Sequence, residues 1–336
     1  MLVHIYIPRL DVMFKRGPVP EQRGSIAPIR MHWDRFVRHL ARLWSTSGHS
    51  VKIIEHPLWQ ITPELVEYDS KSADLIYIPH KSVDNWLISD NMQYKIRYYM
   101  QMVIPELFSI DSIGWCASAS YWPIPPKRFE DDETERNNIL AVLKSRINSN
   151  TSKFDQPTRV FPDTIKNYIF FPCQLPHDET IQYHSKVSVE DALEMTLKWA
   201  AQNNKQVLIK GHPINPSSME PLRAIAAKYP HMWTDDYSIH QLIRNARMTV
   251  TVNSGVGFET LLHGKRVAIF GDADYEAVAA KIRRESYMHD FAFAQCEISS
   301  FELSAYDRFL VNWYHTHYDV SNPKTFEKIL HKELSK

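Results

Sequence analysis

The stretch "MTVTVNSGVGFETLLHGKRVAIFGDADY", residues 248–275, decides how the rest of the chain is read. Two apolar, β-branched runs, "MTVTV" and "RVAIF", enclose a segment that reads as a helix from about Val256. Continuous apolar runs of this length suit strands buried on both faces of a parallel sheet, and strand, helix and strand in sequence form a crossover unit. Asn253, Ser254 and Gly255 carry the chain from the first strand straight into the helix. That turn leaves backbone N–H groups and the positive helix end at the carboxyl edge of the sheet, where ligands of open α/β sheets bind.

Working outward, the same alternation recurs. Upstream stand the strand "NYIFFPCQ", a helix opened by Ser188 as N-cap with Asp191 three residues on, and the strand "QVLI". A helix around Leu222, Ile225 and Ala226, the short "HMWTDD" and a helix capped by Ser238 follow. Earlier still, "VHIYIP", "VKIIEH" and "DLIYIPH" read as strands, and Met31–Trp44 as an amphipathic helix with apolar positions every three or four residues. "YKIRYYMQMVI" reads as a helix and "IGWCASAS" as a strand. Residues 121–134 read as a long loop, a polar helix spans about 135–149, and "NSNTSKFDQPTRVFPDT" reads as an interdomain boundary. The segment "FELSAYDRFLVNWYHTHYDV" and the end from Pro323 read as helical with no further strand. The expectation is an α/β protein of two Rossmann-like domains, 1–155 and 156–300, with C-terminal helices over 301–336.

Length and composition agree with that division. A chain of 336 residues exceeds what one hydrophobic core supports, and 44% hydrophobic with 23% charged residues is an ordinary globular mixture. Its 39 basic and 39 acidic residues cancel, which removes the field expected of a nucleic-acid binder. Three scattered cysteines, Cys116, Cys173 and Cys296, form neither a disulfide framework nor a metal motif, and a reducing cytoplasm suits them. No apolar run has membrane-spanning length, so the expected membrane contact is peripheral at most.

The polar residues of the second half collect at strand ends. Gln174, His177 and Asp178 follow the first strand, and Lys210, His212 and Pro213 the second. Asp235 and Asp236 follow the third, Asn253 to Glu259 the fourth, and Gly271 to Tyr275 the fifth. A cation, a ring N–H donor and a helix start at one edge suit an anionic ligand, with Lys210 and His212 exposed to it. Each residue also has a plain explanation as a helix cap, a turn former or a snorkelling side chain. Gly255 and Gly257 lack the third glycine of a dinucleotide fingerprint, and valines flank Ser254 where an acyl-transfer elbow needs small residues. His315 and His317 lack zinc spacing. Trp115, Tyr121 and Trp122 beside the long loop could stack on sugar rings, and Glu106 lies between an expected helix and strand.

The ordered set in "IKGHP" and "TVNSGVGFETLLHGKRVAIFGDADY" resembles the capsule polysaccharide synthesis family, over roughly residues 167–276. More narrowly it is similar to the retaining β-Kdo glycosyltransferases of capsule and O-antigen assembly. The resemblance implies a GT-B-like architecture, with a glycan or glycolipid acceptor on the N-terminal domain and the donor CMP-Kdo on the C-terminal one. It implies that Lys210, His212 and Pro213 hold the donor's phosphate or carboxylate, that Asn253, Ser254 and Gly255 hold the CMP phosphate, and that Glu259 reaches the ribose. Gln174 and Tyr275 complete the donor set. A fixed set of dipoles would make a metal unnecessary for transfer. Retention implies double displacement, with Asp178 as nucleophile and Glu106 as the acid/base partner. The expected place of work is the cytoplasm or the cytoplasmic face of the inner membrane. Two other readings fit the same residues: a transferase of another CMP-sugar such as a sialic acid, and a non-catalytic nucleotide-sugar or glycan-binding protein.

Overall fold

The computed structural model describes residues 1–9, 27–57, 60–83, 90–124, 133–294 and 296–334. Much of the glycine- and proline-rich stretch after the first strand, and most of the long loop at 121–134, lie outside them. The chain divides into two compact units. The first takes in β1, the chain from the next helix to Trp122, and the return segment Tyr314–Lys336; the second takes in Pro123–Trp313.

In the first unit, β1 (Leu2–Pro8), β2 (Ser50–His56), β3 (Leu75–Pro79) and β4 (Ile96–Gln101) pair in parallel. β5 (Leu107–Asp111) joins β4 in antiparallel register. Helices α1 (Ala27–Thr46), α2 (Pro63–Ser70) and α3 (Asp90–Gln93) connect the parallel strands. The "YKIRYYMQMVI" segment is therefore strand β4 and not a helix: it pairs with β3 on one side and β5 on the other, and Ile96, Tyr98 and Tyr99 are fully buried, as suits a strand covered on both faces. "IGWCASAS" is likewise no strand; after β5 it forms a short turn at Cys116–Ser118 that buries Trp115.

The second unit contains α4 (Glu133–Asn148), β6 (Tyr168–Pro172), α5 (Glu179–His184), α6 (Val189–Gln202) and β7 (Val207–Lys210). α7 (Glu220–Ala226), β8 (Met232–Thr234), α8 (Ile239–Asn245), β9 (Ala246–Thr251) and α9 (Gly255–Leu262) follow. β10 (Arg266–Ile269), β11 (Ala280–Lys281), α10 (Tyr287–Ala294) and α11 (Ser300–Thr316) lead back to the first unit, where β12 (Tyr318–Asp319) and α12 (Glu327–Leu334) end the chain. β12 pairs with β5 in the first sheet, a strand that two residues are too short to announce in sequence.

Every recorded pairing in the second sheet is parallel, in the order β11-β10-β9-β6-β7-β8. Counted from β6 as first strand, this is the doubly wound order, and its reversal falls between β6 and β9. Ile169, Phe171, Ile209, Met248 and Val250 carry the core on one face of this sheet, against α6 and its Leu193 and Leu197. Burying each such side chain contributes roughly 1.5–3 kcal/mol. Ser188 caps α6 by accepting from Asp191 N, as the sequence indicates. Gly264, with φ at 63°, supplies the left-handed residue that ends α9.

The junction lies at Trp122 and Pro123, upstream of the expected 155, and α11 through Trp313 groups with the second unit. The physical reason is visible in residues 150–156. Their side chains and carbonyls bond to α8 and α9, which holds α4 and the following segment on the second sheet.

Candidate functional site

The site is built at the strand-order reversal. Gln174, buried just past β6, donates from Nε2 to Asn253 Oδ1 at 2.9 Å. Its Oε1 accepts from Thr251 Oγ1 and from Asn253 N, both at 3.0 Å. Asn253 Nδ2 then donates to the Thr180 carbonyl at 2.8 Å. Both amide side chains are thereby spent on joining the carboxyl ends of β6 and β9 to the start of α5. Their geometry makes them braces of the loop that holds Asp178.

Asp178 is the N-cap of α5. Its Oδ1 accepts from Thr180 N at 2.9 Å and from Thr180 Oγ1 at 2.7 Å. The residue is half-buried, and its charge acts on the imidazole of His212. His212 itself is half-buried in the loop after β7. Ile214 N donates to its Nδ1 at 3.3 Å, so in the neutral ring the proton sits on Nε2. Burial, helped by the charges of Lys153, His177 and Lys210 and opposed by Asp178, lowers its pKa to about 4. At neutral pH it offers a ring N–H donor and no charge.

Lys210 is not the exposed cation that its place in the sequence suggests. It is only 7% exposed, and its Nζ donates to the Asp235 carbonyl at 3.1 Å. Asp235 is itself a hub: Oδ1 accepts from Gly211 N and Trp233 Nε1, and Oδ2 from Arg223 at 2.8 Å. A Cβ on Gly211 would lie 2.4 Å from Asp235 Oδ1, so glycine is required where β7 turns towards His212 and Pro213. Lysine and aspartate here set the path of the loop.

At the start of α9, Ser254 caps the helix by accepting from Val256 N at 3.2 Å, and its own N–H donates to Thr251 Oγ1. Ser254, Gly255 and Val256 are half-exposed while the next six residues are buried, so the positive helix end reaches the surface. Tyr275 is buried against this turn; its hydroxyl donates to the Ser254 carbonyl at 2.6 Å, and its ring fills the space over Gly257. Glu259 is also buried, with a hydrogen bond to the Ser152 side chain. Burial raises its pKa to about 7, against the opposing effects of Ser152 and Arg146.

Thus His212, Asp178, Ser254 and Gly255 present groups at the carboxyl edge, whereas Gln174, Lys210, Asn253, Glu259 and Tyr275 are buried behind them. Glu106 belongs to the first unit, at the turn between β4 and β5. Gln101 braces that turn by donating to the Pro105 carbonyl at 2.7 Å, and the Glu106 carboxylate lies 3.8 Å from His32 Nε2. The sequence reading missed Thr180, Thr251, Ser152 and Phe154. Only Thr180 and Thr251 had a local signal, as hydroxyl residues flanking Asp178 and Asn253. Trp115, expected to be available for sugar stacking, is 3% exposed. Among the described residues no cluster of histidine, cysteine and carboxylate side chains has the arrangement of a metal site, and no helix is long and apolar enough to cross a membrane.

A surfacing helix start, a neutral imidazole and a capped carboxylate thus stand at the strand-order reversal of a doubly wound α/β unit, the place where such sheets bind ligands and where a helix end favours an anionic group. Residues 131–291 match the family described as capsule polysaccharide biosynthesis protein. Protein FixF of Sinorhizobium fredii (strain NBRC 101917 / NGR234) is 33% identical over 119 residues, 34% of this chain. The match spans only 28% of that protein's length. The β-Kdo 2,7-transferase of Thermosulfurimonas dismutans KpsC superposes with a TM-score of 0.51 at 17% identity, over 91% of this chain and 89% of that one. The β-Kdo 2,4-transferase of the same protein gives 0.47 at 15% identity, over 81% and 87%. The first of these supports the fold: two Rossmann-type units in one chain, of the GT-B type.

Proposed function

We propose that the chain is a retaining glycosyltransferase that moves Kdo from CMP-Kdo to a glycan or glycolipid acceptor in bacterial surface polysaccharide assembly. The observation that carries this reading is Asp178, a half-exposed carboxylate whose Oδ1 is held by Thr180 at the edge where His212 and the α9 start converge. The family match and the likeness to β-Kdo transferases support the same reading. In the proposed sequence, Asp178 attacks the anomeric carbon as the bond to CMP breaks, giving a glycosyl ester. The departing phosphate takes hydrogen bonds from the α9 N-terminus and the His212 Nε2–H, and no metal is needed for that neutralisation. An acceptor hydroxyl then displaces Asp178, and Glu106 is the proposed base that takes its proton. The proposed place of action is the cytoplasm, with no more than peripheral contact with the inner membrane.

Intact-protein mass spectrometry tests the central step. The chain is mixed with CTP, Kdo and a CMP-Kdo synthetase, without acceptor. A mass gain of one Kdo residue, absent in Asp178→Ala, is the expected result. CMP release that requires a glycan and leaves no adduct would remove the covalent step; neither adduct nor release would remove the Kdo donor.

A further inference from the structure

The segment joining α4 to β6 enters neither sheet, yet it is fastened to the second unit residue by residue. Ser238 Oγ donates to the Asn150 side chain, and His240 Nε2 donates to the Thr151 carbonyl at 2.8 Å. The Ser152 hydroxyl bonds to Glu259, and Ile239 N donates to Gln156 Oε1 at 3.0 Å. Phe154 meets the His212 ring edge-on, with centroids 5.7 Å apart and planes at 75°. Lys153 is therefore bracketed: its predecessor is fixed to α9 and its successor to the histidine of the loop after β7. Its side chain is half-exposed.

A phosphate at this edge gains from a nearby cation, and the strand-end lysine does not supply one at the surface. Lys210 is buried and spends a donor on the Asp235 carbonyl, and His212 is neutral. Among the basic groups acting on the imidazole, Lys153 is the strongest, ahead of His177 and Lys210. Lys153 follows a residue bonded to α9 and precedes one packed on His212, and its charge acts on that imidazole, so a phosphate held by the His212 Nε2–H and the start of α9 would gain from it.

We infer that Lys153 is a binding residue for the nucleotide phosphate, pairing with it opposite the His212 Nε2–H and the start of α9. This deepens the nucleotide-sugar reading and rests on it. The pairing gives the 150–156 segment a role in affinity: it presents the charge that the strand-end lysine withholds.

Titration calorimetry with CMP and with cytidine, on the wild-type chain, Lys153→Gln and Lys153→Arg, tests the inference. Lys153→Gln is expected to weaken CMP binding about tenfold and to flatten its salt dependence. Lys153→Arg should restore affinity to within about threefold, since it keeps the charge. Cytidine, lacking phosphate, should bind all three alike, which also shows that the variants are folded. Wild-type CMP affinity in Lys153→Gln overturns the role of Lys153 and leaves the nucleotide reading standing. A chain that ignores CMP but binds UDP with the same dependence on Lys153 keeps the phosphate role and ends the cytidine-donor reading. Binding of neither nucleotide ends both.

Discussion

The side-chain amide of Asn253 donates to the backbone carbonyl of Thr180, and Thr180 gives both its N–H and its hydroxyl to Asp178 Oδ1. The direction of the Asp178 carboxylate is thus set from the far side of the strand-order reversal, through Gln174, Asn253 and Thr180 in turn. Asn253→Ala strands the Thr180 carbonyl and the buried Gln174 amide, and each orphaned group costs about 1–3 kcal/mol. The expected outcome is a clear loss of stability in urea unfolding and a fall in kcat larger than the rise in KM. Lost stability with kcat intact would mean that Asp178 is oriented by α5 alone.

Asp178 has two separable roles, helix cap and proposed nucleophile. Asparagine caps a helix as well as aspartate does, whereas alanine does not. Asp178→Asn should therefore unfold at the wild-type urea concentration, and Asp178→Ala should lose about 1 kcal/mol. Transfer should fall about a thousandfold or more in both, as expected when a nucleophile is removed. Transfer that tracks stability across the two variants would reduce Asp178 to its cap.

Gly257 and Tyr275 form a matched pair. A Cβ at 257 would lie 2.2 Å from the Tyr275 hydroxyl and 2.5 Å from its Cζ, both too close to exist without movement. Gly257→Ala should displace the tyrosine, break its hydrogen bond to the Ser254 carbonyl and lower stability by about 1–3 kcal/mol. Tyr275→Ala creates a cavity, but combining the two should cost less than the sum, because the clash has gone. Thermal unfolding of the four chains checks this, and strict additivity would contradict the contact.

The second sheet was legible because each of its inner strands is an unbroken apolar run stopped by a turn, and the loops carrying Gln174, His212 and Asn253 follow directly. The first sheet was harder. Tyr98 and Tyr99 in β4 are buried on opposite faces, so the run has no period of two and satisfies a helical pattern equally well. The roles of Lys210 and residues 150–156 were hidden for a different reason. Whether a strand-end lysine faces solvent depends on Asp235, and whether a polar connector is a linker or a wall depends on His240, Glu259 and His212. Those partners are remote in sequence and leave no local trace.

Three titratable groups of the second unit tie its stability to pH. Glu259 has its pKa raised from 4.5 to about 7, chiefly by burial. Between those values the folded chain holds a proton that the unfolded chain has released, so this residue's contribution to stability declines as pH rises through the window and is level above it. Asp274, also buried and raised to about 6 with Trp313 Nε1 donating to it, acts in the same direction. His212, lowered to about 4, acts oppositely, costing stability as pH falls below 6.5. Glu259→Gln isolates the glutamate's contribution: near pH 4.5 the protonated acid and the amide are nearly equivalent, and the Ser152 contact survives in either. The variant should gain on wild type as pH rises, by on the order of a few kcal/mol by pH 8, measured as urea unfolding free energies at matched pH. A difference that stays constant from pH 4.5 to 8 would show that Glu259 ionises as easily inside the fold as in water, and that its carboxyl is not the buried group beside Ser152.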